Sequence, residues 1–250
     1  MSDYFLSDVH LRDDRPERGR RLVRFLQRLK PGEDRLLIAG DLCDFWMGSR
    51  KSSEELARDE ALSRLAEFSR AGGSLSILPG NHDRWLVPFY ESSLRATILT
   101  EPYEMESYGL RVHIVHGHLL GARRMWKAAM ESREFFRAFG AIPSSMAKPL
   151  DDLLETRNRR GLEDDERRHL AVFRSYADSL NGVDLAVFGH VHRAVDEAGS
   201  PRMIVLGGWQ ARLSYLKIDA DGAVFHVESG EVDEPTSTDS QRAEPSNVSP

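Results

Sequence analysis

Five short polar clusters carry side chains able to do chemistry: Asp8-Val9-His10, Gly40-Asp41-Leu42-Cys43-Asp44, Gly80-Asn81-His82-Asp83, His116-Gly117-His118 and Gly189-His190-Val191-His192. Each directly follows an apolar run that reads as a strand. Carboxylate, amide oxygen and imidazole together suit divalent manganese, iron or zinc, and Cys43, the only cysteine, cannot form a thiolate cluster. Two such cations about 3.5–4 Å apart can clamp phosphate oxygens and lower the pKa of a water between them, supplying hydroxide for in-line attack on phosphorus. Singly, each cluster has a plainer reading as a turn, a helix cap, a loop or a polar surface. Five in order at strand ends point to one site.

The elements that must position them are legible in the apolar spacing. Tyr4 to Leu6 and Leu36 to Ala39 are short apolar runs, and Leu22, Phe25, Leu26 and Leu29 between them fall at helical spacing. Glu54 to Arg70 repeats the helical pattern, Gly72-Gly73 ends it, and Ser74 to Leu78 forms a third strand. Strand and helix in alternation predict a sheet covered on both faces, with ligands gathered beyond the carboxyl ends of its strands. From Tyr103 the pattern changes to short strands, Tyr103 to Ser107 and Arg111 to Val115, then Leu185 to Phe188, Met203 to Leu206, Leu213 to Ile218 and Val224 to Val227. Turns such as Ala220-Asp221-Gly222 suit an antiparallel region. Residues 122–180 show helical spacing without a strand signal and read as a cap inserted into a domain spanning 1–230.

The net charge is −6, and five acidic residues against Arg242 put −4 of it into residues 231–250. That tail is rich in Pro, Ser, Thr, Glu and Asp and short of large apolar side chains, so it is expected to be disordered. No strongly basic body or aromatic-lined basic stripe is present, so nucleic acid is not an expected partner. No apolar run is long enough to span a bilayer, and the first strand begins too near Met1 for a signal peptide, which predicts a cytoplasmic protein. Cys43 reads as a small buried hydrophobe.

The five clusters resemble those of the calcineurin-like metallophosphoesterases, and the match runs from residue 4 to about residue 218. The resemblance implies a four-layer αββα sandwich with two divalent metal ions, manganese by expectation, with Fe2+, Co2+ or Zn2+ as alternatives. It implies a first metal on Asp8, His10, Asp41 and His192 and a second on Asp41, Asn81, His116 and His190, with Asp41 bridging and essential to catalysis. It places His82 on the phosphate as the group that protonates the leaving oxygen; the plainer role for His82 is to orient Asp44 or Asp83. His118 either faces the substrate or packs. Asn81 and His190 are expected to touch substrate as well as metal.

Within the family, Tyr4 to Leu11, Arg15-Pro16, Gly40 to Gly48, His190 to Ala194 and Val205 to Trp209 resemble the branch that hydrolyses UDP-2,3-diacylglucosamine in lipid A synthesis. Residues 122–160 hold nine Lys or Arg against five Asp or Glu, which suits a diphosphate, interleaved with apolar residues from Met125 and Trp126 to Leu154. Most of those apolar residues should pack the cap, and a surplus facing the cleft would hold acyl chains. Arg157, Asn158 and Arg160 are candidate substrate contacts, and the cap is a candidate for peripheral contact with the inner membrane. The chain departs from that branch at His82, where arginine is usual, at His118, where aspartate is usual, at Arg123-Arg124, and at Gly207-Gly208-Trp209. An enzyme acting on a soluble nucleotide or other phosphoester is therefore the first rival. A metal-free protein-binding scaffold is the second, and the filled ligand set argues against it.

Overall fold

The computed structural model describes residues 1–121, 132–159, 162–210 and 212–228. A six-stranded sheet has the order β11-β10-β1-β2-β3-β4, from β1 (Asp3–Leu6), β2 (Arg35–Ala39), β3 (Ser74–Leu78), β4 (Thr97–Ile98), β10 (Ser214–Asp219) and β11 (Gly222–Val227). A five-stranded sheet has the order β5-β6-β7-β9-β8, from β5 (Tyr103–Ser107), β6 (Leu110–Val115), β7 (Leu185–Phe188), β8 (Val195–Glu197) and β9 (Arg202–Val205).

Side-chain alternation along the strands builds three apolar layers. Phe5, Leu37 and Ala39 of the first sheet meet Val112, Ile114, Leu185, Val187 and Ile204 of the second. Their neighbours Leu6, Leu36 and Ile38 face the opposite way, onto α1 (Pro16–Leu26) and α4 (Glu60–Arg70) through Leu22, Phe25, Leu62 and Leu65. On the outer face of the second sheet, Ala186 and Phe188 pack against Leu170, Phe173 and Ala177 of α8 (Leu162–Ser179). Period-two burial on both faces of both sheets therefore yields two sheets flanked by helices.

Several boundaries differ from the expectations. The helix expected over Glu54 to Arg70 is two helices, α3 (Ser53–Ala57) and α4. Asp59 caps the second by accepting from the Ala61 and Leu62 amides at 3.0 and 3.1 Å, which interrupts the run. The later strands are not one antiparallel region: β6, β7 and β9 run parallel, because the long helical connection after β6 returns the chain to the same end of the sheet. The antiparallel β10-β11 hairpin joins the first sheet beside β1 instead. The two-residue β4 and three-residue β8 are too short to leave an apolar pattern in the sequence, as are the short helices α2 (Phe45–Arg50) and α5 (Val87–Ser92).

Between β6 and β7 the described residues form α6 (Arg133–Ala141), α7 (Ser144–Arg159) and α8. The expectations for Arg123-Arg124, Met125, Trp126, Arg160 and the tail fall outside the described residues, as do those for the side chains of Arg157 and Asn158. No helix among the described residues is long and apolar enough to cross a membrane.

Candidate functional site

The loops after β1, β2, β3, β6 and β7 converge, and nine of the expected site residues arrive together. The Asp8 Oδ1 atom lies 3.7 Å from Nε2 of both His10 and His192, whose own Nε2 atoms are 3.1 Å apart. Beside them, His116 Nε2 is 3.4 Å from Asp41 Oδ2 and 3.3 Å from Asn81 Oδ1. Asp41, His116 and His190 form a second tight group of ligand-type atoms, and His10 Nε2 reaches to 3.8 Å from Asp41 Oδ2, so Asp41 stands between the two groups.

The backbone is contorted to achieve this. Asp8, His10, Asp41 and His190 all have positive φ, between 51° and 63°, which L-residues adopt at a cost. Glycines allow the close approach: a Cβ on Gly40 would lie 2.1 Å from His116 Nδ1, and one on Gly80 2.1 Å from Asp41 Oδ1. Gly208 similarly lets the chain leaving β9 pass His192, and Trp209, wholly buried, donates its amide to the Asp8 carbonyl at 3.1 Å.

Hydrogen bonds behind the cluster aim it. His116 Nδ1 donates to the Ala39 carbonyl at 2.8 Å, which turns Nε2 toward Asp41 and Asn81 as the nitrogen free to ligate once its proton is displaced. The spare oxygen of Asp8 accepts the His190 amide at 2.9 Å, and Asp41 Oδ1 accepts the His82 amide at 2.9 Å. Asp83 ties the third loop to the second: it accepts from the amides of Gly80 at 2.9 Å and Leu42 at 2.7 Å and from the Tyr90 hydroxyl at 2.9 Å. Glu101 accepts the His116 amide at 2.8 Å and lies 3.5 Å from His118 Nδ1. Glu101 carried no sequence signal, since it stands in a turn far from any cluster.

The electrostatics are those of a cation site. Burial opposes ionisation of Asp41, yet His116 and His82 outweigh it and hold the carboxyl well below its ordinary range. Burial likewise opposes the His10 and His116 imidazolium forms, but Asp44 and Asp8 push His10, and Asp41 pushes His116, up to about 10. Burial, with His10 adjacent, brings His192 down to about 4, and burial with His116 holds His190 well below the usual imidazole value. Ionised carboxylates thus draw positive charge to the centre, while His190 and His192 stay in the neutral form that ligates metals.

The residues fit divalent cations on structural grounds. Asp8 Oδ1 is buried without a hydrogen-bond partner among the described residues, which is costly unless something else binds it. Donor atoms about 3–3.5 Å apart are what ligand bonds of about 2.1 Å to a shared ion require.

His82 is on the open side, its side chain 36 % exposed, with Nδ1 3.9 Å from Asp44 Oδ2 and its ring 4.7 Å from that of His10. His118 is only 6 % exposed in its side chain and lies 5.3 Å ring to ring from His116, so burial favours the packing role for it. Cys43 is fully buried.

The model of the calcineurin-like phosphoesterase family matches residues 4–194. The chain is 29 % identical over 250 residues to the UDP-2,3-diacylglucosamine hydrolase of Nitrosococcus oceani, covering 94 % of this chain and 97 % of that one. It is 28 % identical over 241 residues to the protein of the same name from Hahella chejuensis, covering 89 % and 95 %. Its identity to that of Stenotrophomonas maltophilia K279a is 30 % over 241 residues, covering 89 % and 96 %.

Proposed function

The chain belongs to the calcineurin-like phosphoesterase family and is a metal-dependent phosphoesterase hydrolase; from that premise we propose that it works with two metal ions on the pyrophosphate of UDP-2,3-diacylglucosamine, releasing UMP and a diacylglucosamine 1-phosphate. The observation that carries the dinuclear reading is the position of Asp41 between two ligand groups, each already supplied with imidazole. Asp8, His10, Asp41 and His192 would hold one ion, and Asp41, Asn81, His116 and His190 the other. Manganese is the expected metal. Divalent cations bound there supply Lewis-acid chemistry, neutralising phosphate charge and making water acidic enough to attack phosphorus near neutral pH.

The chain's own residues do the rest. The buried carboxylates fix where positive charge sits, and Asp83 holds the Asn81-His82 loop at a set distance from Asp41. His82 would contact the phosphate and pass a proton to the leaving oxygen, a role supported by its position beside His10 on the open side of the cluster. Residues 122–180 act as a cap, with Arg157, Asn158 and Arg160 as phosphate or nucleotide contacts.

Two observations support the lipid half of the substrate. Relatives bearing the hydrolase name align over 89–94 % of the chain. On α7, Met146, Leu150 and Leu153 are exposed at helical spacing, an apolar face suited to acyl chains or a membrane surface. The same face supports peripheral association with the inner membrane as part of this reading. A soluble phosphoester is the second reading, favoured by His82 and His118 standing where that branch is expected to carry arginine and aspartate.

The test is hydrolysis of UDP-2,3-diacylglucosamine, beside a cyclic nucleotide and a p-nitrophenyl phosphodiester, by metal-stripped protein reconstituted with manganese. UMP release with strong preference for the lipid supports the proposal. Turnover of the soluble esters alone discards the lipid substrate, and two-ion activation is checked by titrating metal against activity.

A further inference from the structure

Helix α8 brings a histidine to the metal cluster that no motif announces. Phe173 stacks flat on Phe188, with ring centroids 4.5 Å apart and planes at 13°, and both are fully buried. Phe188 is the last residue of β7, immediately before Gly189-His190. Side chains four residues apart share a helix face, so anchoring Phe173 there fixes where His169 goes. Its ring lies 5.1 Å from that of His190, edge to face at 72°.

The tautomer is set locally. His169 Nδ1 is 2.8 Å from the Asp165 carbonyl oxygen, which can only accept, so Nδ1 carries the proton. Nε2, at the far end of the ring and not used in that bond, is then an acceptor in the neutral imidazole. The side chain is partly exposed, not packed away.

We propose that His169 is a specificity-determining residue whose Nε2 accepts a hydrogen bond from a hydroxyl of the substrate's sugar, beside the phosphate held at His190. An acceptor at that place recognises sugar-bearing esters over simple aryl diesters, and rigid anchoring through Phe173 means little ordering is needed on binding. The proposal rests on the phosphoesterase reading of the site, and its test separates the two.

Wild type, His169→Ala and His169→Gln are compared on UDP-2,3-diacylglucosamine, UDP-N-acetylglucosamine and bis(p-nitrophenyl) phosphate, which has no hydroxyl, with metal content measured on the same samples. His169→Ala should lower kcat/KM on the sugar ester that the wild type cleaves by about ten-fold, the scale of one lost hydrogen bond. The aryl diester and the metal content should be unchanged. Glutamine retains an acceptor oxygen and should recover part of the loss. Equal losses on all substrates together with falling metal content would instead make His169 a prop for His190, and no loss on the cleaved sugar ester would also overturn the proposal. Wild type that cleaves neither sugar ester refutes the sugar specificity while leaving the metal chemistry, read by the aryl diester, intact. Cleavage of only the soluble sugar ester, with the alanine loss present, removes the lipid reading alone.

Discussion

Replacing Gly80 with alanine tests whether the site depends on a glycine for space. A Cβ there would sit 2.1 Å from Asp41 Oδ1 and 2.7 Å from the Asp41 amide nitrogen, whereas ordinary contact begins at 3.4 Å. One side must move by about 1 Å. Asp41 is poorly able to yield, because its Oδ1 accepts the His82 amide at 2.9 Å, its Oδ2 lies 3.4 Å from His116 and its φ is 54°. The loop carrying Asn81 and His82 is held from behind by Asp83. Misplacing catalytic groups by about 1 Å costs about a hundred-fold in rate, while overpacking costs about 1–3 kcal/mol of stability. For a chain of this size that is a fall in Tm of about 2–12 °C. The assay is bis(p-nitrophenyl) phosphate turnover in manganese, with bound metal and thermal unfolding measured in parallel. Gly80→Ala should fold, lose about two orders of magnitude in kcat and hold less than two equivalents of metal. Gly32→Ala is the control: φ there is +83° with nothing within 4 Å, so it should lose about 1 kcal/mol and no activity. A Gly80→Ala enzyme with wild-type turnover and full metal content would refute the steric reasoning and the position of Asp41 with it.

Asp41→Ala should abolish metal loading and activity together, and retention of either by metal analysis and turnover would remove Asp41 from the shared position. His82→Ala should lower kcat while bound metal is unchanged; unaltered turnover would leave His82 only its contact with Asp44. Asp83→Ala strands the buried amides of Gly80, Leu42 and Cys43 and the Tyr90 hydroxyl and should cost about 3–5 kcal/mol in denaturant unfolding, against about 1 kcal/mol for Tyr90→Phe. Similar costs for the two variants would show that the loop is held by other means. Burial pushes the Cys43 thiol well above its usual range, so alkylating reagents should label it only after unfolding. Labelling of the native protein at the rate of a free thiol contradicts that placement.

The chemistry of this protein is written in short range. Asp8-x-His10, Asp41, Asn81-His82, His116 and His190-x-His192 each follow a short apolar run, and those runs are enough to place them at strand ends. The metal-ligand types and the α/β architecture could be read from that, as could helical spacing around Leu22 to Leu26 and over Glu54 to Arg70, though the latter is two helices and not one. Local pattern could not say that β7 would lie parallel to β6 or that the β10-β11 hairpin would close on β1, since strand partners are chosen by packing across the whole chain. Asp59 interrupted a helical pattern because a side-chain cap competed with the next turn, a contest decided within three residues that periodicity does not register.

Only the tertiary structure decided the rest. Which imidazole nitrogen faces the centre depends on the Ala39 carbonyl behind His116, and the positive φ of Asp8, His10, Asp41 and His190 is affordable only where surrounding contacts hold it. Glu101, Asp83 and His169 act through residues distant in sequence, and His169 in particular is one charged-looking position on an amphipathic helix until Phe173 docks on Phe188. Residue type and spacing determine what a side chain is able to do. Its distance from groups far along the chain, and so whether it does it, is set when the two sheets pack.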